Sequence, residues 1–257
     1  MIKRIKAASR VASIHLVVVL VWIAVAGFLI LKIWFPYPYN KTSGGVNLFL
    51  LLCAVSVICG PLLTLLLFDA SKSRSKLWID AVLVIAIQMA SVIYVMYGVA
   101  QARPIFLAYE GNRFRVVTMR DIDPMRLPNA RREFRSPGFG GPRLVGAKLA
   151  EATDPSFRQS ITESLQGLHP SFRPERWVPY ESQRAALRAE LKPMATLKAK
   201  HPQAVVSIDQ VLAEHGLTDE GAGYLPLDAE KADPADWVAI VERSSGLPRA
   251  FLPLDGW

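Results

Sequence analysis

The sequence predicts an α+β protein: a three-helix transmembrane N-terminal bundle followed by an exported α+β domain built on an antiparallel sheet. Three observations predict this. Long apolar runs recur at 11–31, 46–68 and 81–100. Basic charge gathers around them: residues 1–98 hold nine Lys/Arg against two Asp/Glu, whereas residues 99–257 hold 21 against 20. The remaining 157 residues then read as strands, helices and strands again. An apolar share of 51% excludes a disordered chain, and two cysteines exclude a disulfide-stapled mini-domain. Because the excess charge lies among apolar runs, it points to a membrane and not to nucleic acid.

The transmembrane domain is assigned to 1–100, with helices at about 11–35, 46–68 and 78–100. The first run, between Arg10 and Lys32, has 21 uncharged residues. At 1.5 Å per residue it spans about 31 Å, enough for a hydrocarbon core of about 30 Å. It is too long for a signal-peptide core and no small-residue cleavage site follows Leu31, so it reads as a retained anchor. Lys3, Arg4, Lys6 and Arg10 precede the first span, and Lys72, Arg74 and Lys76 lie between the second and third. Only Lys32 and Lys41 separate the first two. The positive-inside rule therefore puts the N-terminus in the cytoplasm and everything after residue 100 outside. Trp34, Phe35, Tyr37 and Tyr39 read as an outer aromatic belt, and Trp78 as its inner counterpart.

Within the spans, Cys53 and Cys59 lie about 240° apart on a helix and cannot face each other. Gly60-Pro61 interrupts the second span, since proline removes a backbone hydrogen bond and predicts a kink. That kink serves packing or shapes a groove for another helix. Gln88 is the one amide in the middle of a span, a group that hydrogen-bonds to a neighbouring helix of the bundle or of a partner.

The outer domain is assigned to 101–257. Residues 105–109 and 113–119 are rich in β-branched and aromatic residues, and Glu110-Gly111-Asn112 between them predicts a hairpin. The Arg/Pro/Gly-rich stretch at about 120–147 reads as a flexible loop with no regular element. Its arginines are a solvated basic surface, or contact anionic headgroups or an acidic partner. Asp154 with Pro155 predicts a helix start, and Phe157, Ile161, Leu165 and Leu168 form a stripe expected in the core. Further helices are expected over 180–191 and 193–200, and one opened by a Ser207-Ile-Asp-Gln210 capping box and ended by Gly216. Strands are expected over 224–227, 237–242 and 249–254.

No arrangement of catalytic residues emerges. His15, His169, His201 and His215 have no metal-ligand spacing, and no H-E-x-x-H, C-x-x-C or G-x-S-x-G is present. Asp121 with Asp123, and Asp219 with Glu220, are adjacent carboxylates of the kind that are ordinarily solvated. The expectation is therefore a non-enzymatic protein without cofactor or metal.

The stretch Gly60-Pro-Leu-Leu-Thr-Leu-Leu-Leu-Phe-Asp69, a short basic loop, a third span, then Gln101-Ala-Arg-Pro-Ile-Phe-Leu-Ala-Tyr-Glu110 and Arg113-Phe-Arg-Val-Val117 resembles the TfpX/TfpZ family of type IV pilin accessory proteins. The resemblance is strong over residues 1–120, and loose in the closing strands. It implies a chaperone-like factor of the bacterial inner membrane with a periplasmic C-terminal domain. That factor would bind, stabilise or aid assembly of a cognate major pilin, with other pilus assembly components and the lipid bilayer as further partners and no nucleic acid. The candidate partner-binding residues are Gly60, Pro61 and Gln88 in the membrane, with Arg103, Pro104, Phe106, Tyr109, Arg113 and Arg115 where the outer domain begins. A membrane-anchored periplasmic subunit of another envelope complex is the alternative that the architecture alone allows.

Overall fold

The computed structural model describes residues 2–230, 232 and 236–257. The chain forms two units: one runs to Phe35 and resumes over Gly44–Ala102, the other combines Pro36–Ser43 with Arg103–Trp257.

The first unit is helical. Helix α1 (Ile2–Leu29) runs into one π-helical turn, Ile30–Trp34. A single turn, α2 (Tyr39–Thr42), belongs to the second unit. Helices α3 (Gly45–Leu67) and α4 (Arg74–Gln101) complete the first. Three helices, Arg4–Trp34, Gly45–Leu67 and Arg74–Gln101, are long and apolar enough to cross a membrane. The third begins about two turns before the apolar run, taking Arg74 and Lys76 into the helix. Helix α3 is the middle one, packing on both α1 and α4. It buries Gly45, Phe49, Leu52, Ser56 and Gly60, three or four residues apart on one stripe. Pro61 lies inside a continuous α3. At the other end from Gly60, Phe49 packs with Ile30, Phe35 and Val99.

The second unit is built on an eight-stranded sheet. Its strands are β1 (Pro104–Tyr109), β2 (Phe114–Thr118), β3 (Arg143–Ala147), β4 (Trp177–Val178), β5 (Lys192–Pro193), β6 (Ala222–Asp228), β7 (Trp237–Glu242) and β8 (Pro248–Leu252). Their order is β4-β3-β1-β2-β6-β7-β8, with β5 paired to β6. The β1/β2 hairpin forms as expected. Gly111 takes φ of +71°, a conformation costly for any residue with a Cβ, and the Glu110 N–H donates to the Arg113 carbonyl across the turn. Most pairings are antiparallel, but β1 pairs with β3 and β2 with β6 in parallel. The parallel β2/β6 contact joins the first and last parts of the domain into one sheet.

Both faces of the sheet are covered, which is why β1, β2, β6 and β7 are buried almost without alternation. On one face, Leu107, Tyr109, Phe114, Leu225 and Ala239 pack with Tyr180, Leu187 and Leu191. The last three come from a 3₁₀ turn leading into α6 (Arg184–Glu190) and the residue after it. Tyr39 lies in the same cluster. On the other face, Phe106, Ala108 and Val145 meet Phe134, Phe172 and Trp177. Further along, Tyr224, Val238 and Ile240 meet α7 (Met194–Lys200) and α8 (Val205–Glu214).

Several expectations need correction. Residues 120–147 are not devoid of regular structure: three 3₁₀ turns and β3 lie there, because Ile122, Ala130, Phe134 and Val145 supply buried anchors among the prolines and glycines. Helix α5 (Phe157–Leu165) starts after Ser156, with the Asp154 carboxylate accepting from the Ser156 N–H. Helix α8 starts at Val205, so Ser207 lies inside it and caps nothing, while Gly216 does end it at φ of +64°. The aromatic belt is only partly a belt, since Phe35 and Tyr39 are buried within protein.

Candidate functional site

Of the residues singled out in the membrane spans, Gly60 and Gln88 meet. A Cβ at Gly60 would stand 2.6 Å from the Gln88 Nε2 and 3.2 Å from the His15 ring, so a side chain there would displace the Gln88 amide. His15 Nδ1 lies 2.7 Å from Thr64 Oγ1, and that hydroxyl donates to the Gly60 carbonyl at 3.0 Å. One small polar cluster thus links α1, α3 and α4, at the end of the bundle where Arg4 pairs with Asp69 at 3.4 Å. Pro61, next to it, is half-buried. Sequence analysis gave His15 only as a histidine without metal-ligand spacing, and it assigned Thr64 no role. The signal was a histidine inside an apolar run, which needs a polar neighbour in a bilayer.

In the second unit the predicted residues divide by burial. Phe106, Tyr109 and Arg115 are buried, against the expectation of an exposed contact, because both faces of β1 and β2 are covered. Burial also pushes the Tyr109 hydroxyl up to about 12, with the Glu190 carboxylate adding to it. Pro104 opens β1 and is buried too. Arg113 is half-buried, its guanidinium 4.7 Å from the Trp257 ring. Arg103 is largely buried and donates to the carbonyls of Gly138 (2.8 Å) and Gly140 (3.0 Å).

Arg115 is the centre of a buried charge network. Its Nε donates to Glu110 at 3.0 Å, and its terminal nitrogen lies 2.9 Å from Asp228. Ser171 donates to the same Glu110 oxygen at 2.7 Å. The hairpin brings Glu110 back beside Arg115, and the parallel pairing sets Asp228 opposite it in register. His169 is next to this network. Burial holds its imidazole below the ordinary range, and the Arg115 charge adds to that. A charged residue in a strand otherwise apolar, Phe114-Arg-Val-Val117, was the available signal. Such a residue must be paired, but its partners come from positions far apart.

Arg173, a residue not singled out from sequence, organises α5. Almost fully buried, it reaches the Ser160 carbonyl at 3.0 Å, the Ser164 hydroxyl at 3.1 Å and the Glu163 carboxylate at 2.7 Å. The polar side of α5 is therefore the side held to the domain. The apolar stripe expected in the core is divided: Leu168 packs against the cluster of Phe106 and Trp177 and Phe157 is half-buried, whereas Ile161 is 47% and Leu165 85% exposed.

Among the described residues, no cluster of His, Cys, Asp and Glu is placed to hold a metal ion. A cavity of about 20 Å³, room for roughly one water, is lined by Thr42, Ser43, Thr118, Arg120, Asp121 and Glu230. These features define a class: a protein with three membrane-length helices and an α+β domain that carries a buried Arg115–Glu110–Asp228 network and exposes Ile161 and Leu165 on α5.

Residues 3–44 match the family model described as fimbrial assembly protein FimB. The fimbrial assembly protein of serogroup I from Dichelobacter nodosus is 31% identical over 247 residues, covering 95% of this chain and 94% of that protein. The serogroup E1 protein of the same organism is 34% identical over 251 residues, again 95% and 94%. The protein of serogroups C1 and C2 is 37% identical over 123 residues, 48% of this chain and 94% of its own shorter length. No solved structure matches. The chain belongs to the fimbrial assembly protein family, in agreement with the resemblance to type IV pilin accessory proteins carried by residues 60–69 and 101–117.

Proposed function

We propose that this protein is a non-enzymatic accessory factor of the bacterial inner membrane that binds a cognate type IV pilin and stabilises it or aids its assembly. The observation that carries this reading is kinship along 95% of the chain with proteins named for fimbrial assembly. A pilin stored in the membrane presents an apolar helix in the bilayer and a folded head outside it. A factor with a helical bundle and an outer domain can contact both. In the bilayer, helix contacts rest on small and polar groups because lipid removes the hydrophobic drive. Gly60 and Gln88 already meet inside the bundle, which leaves half-buried Pro61 of α3 as the neighbouring group nearer its surface.

Outside the bilayer, the contact assigned to the pilin head is the outward stripe of α5. Apolar side chains that a fold turns to solvent while pinning the opposite face are suited to a partner. Ile161 and Leu165 are those side chains, and Arg173 is the pin.

The test is affinity capture of the tagged full-length chain from detergent-solubilised membranes, with mass spectrometry of everything that copurifies. A major pilin should be enriched, and I161D/L165D should lose it while the unfolding temperature stays unchanged. Enrichment of a different envelope complex without pilin would replace this reading with that of a subunit of that complex. Full pilin capture by the double variant would move the contact away from α5.

A further inference from the structure

We propose that residues 131–143 form a membrane-surface contact that takes anionic phospholipid headgroups. The proposal rests on how this segment is anchored. Arg103 is the second residue beyond Gln101, the last of α4, so along the chain it lies within about 7 Å of that helix end. The Arg103 guanidinium holds the carbonyls of Gly138 and Gly140 and stands 5.9 Å from the Phe139 ring. The tip of the segment is therefore tied to the residue that leaves the last membrane-length helix.

Its side chains suit a headgroup layer. A 3₁₀ turn, Arg132–Phe134, buries Phe134 against Phe106 (5.9 Å) and Trp177 (6.3 Å). With Phe134 turned in, Arg131, Arg132 and Arg135 are left exposed, and Arg143 is exposed where β3 begins. Residues 131–143 hold four arginines against Glu133 alone, a net charge of +3. Guanidinium forks match phosphate oxygens, and aromatic rings settle at headgroup level. Phe139, at the glycine-rich tip, is 76% exposed. Positive charge around an exposed ring, on a segment tied to a membrane helix, favours an anionic lipid surface over an acidic protein surface.

The full-length chain, reconstituted in nanodiscs, tests this by hydrogen–deuterium exchange of the 131–142 backbone. Discs containing phosphatidylglycerol should slow exchange in this segment relative to discs of phosphatidylcholine alone. High salt should abolish the protection, because screening shortens the reach of exposed charges. R131E/R132E/R135E should lose it too, with exchange in β6 and β7 unchanged to show that the domain is folded. Equal exchange of the unaltered chain in both kinds of disc overturns the proposal. So does protection in neutral discs on adding inorganic phosphate, or protection that appears only when pilin is added.

Discussion

At the scale of single residues, the domain depends on a buried charge whose partners are all in place. Removing Arg115 while keeping Glu110 leaves a carboxylate enclosed without its cation. That kind of change costs about 3–5 kcal/mol. Arg115→Ala should therefore lower the thermal unfolding temperature sharply in detergent, and Glu110→Gln added to it should restore part of the loss. A double variant as unstable as the sum of the two singles would show that the pair is not coupled. His169, beside the same network, adds a pH dependence. Its folded pKa lies below the ordinary 6.5 because burial and Arg115 disfavour the imidazolium. The unfolded chain then binds the proton more readily, so this stabilisation is complete above about pH 6.5 and is lost as the pH falls below it. His169→Gln should flatten the fall in unfolding temperature between about pH 7 and pH 5. An identical fall in both proteins would refute this.

At the scale of elements, the segment between the first two membrane-length helices is part of the α+β domain. The Tyr39 ring packs in the sheet cluster and lies 6.3 Å from Phe251, and the Tyr37 hydroxyl donates to the Phe251 carbonyl at 2.9 Å. Truncating a large buried aromatic side chain costs about 3–5 kcal/mol. Tyr39→Ala should thus speed hydrogen exchange in β7 and β8, although it lies about 200 residues away in sequence. Exchange confined to residues 36–43 would deny the coupling. Sequence alone read Tyr37 and Tyr39 as interface aromatics, because composition near a span looks the same whether a ring meets lipid or a folded domain. Local signals fared better where one element carries them. The apolar runs, the Gly111 hairpin and the three closing strands were all legible. What was not legible depends on contacts between distant segments: the parallel β2/β6 pairing, the buried partners of Arg115, and the exposure of Ile161 and Leu165 on α5. The α5 stripe had the period of a core helix, and only Arg173, holding the polar face, shows which side turns in.

At the scale of the whole molecule, the shared folding of residues 36–43 and 103–257 constrains how the chain crosses the bilayer. Segments packed into one unit belong on one side of a membrane, so we expect α3 and α4 to make a round trip between them. The short connection from α3 to α4, and the N-terminus before α1, would then share the opposite side. Parity sets this pairing without any appeal to charge. For its orientation we propose the one that the basic residues favour: Arg4, Arg10, Lys72 and Arg74 would fall on the N-terminal side, which the positive-inside rule assigns to the cytoplasm. The chain is suited to a direct test because Cys53 and Cys59 are its two cysteines and both lie in α3. With both replaced by alanine, a cysteine at Ser207, exposed on α8, should react with a membrane-impermeant maleimide on intact spheroplasts. One at Ser71, exposed in the connection after α3, should react only after permeabilisation. The reverse pattern would put the α+β domain in the cytoplasm, out of reach of a pilin head. Labelling of both positions on intact cells would contradict the round trip itself.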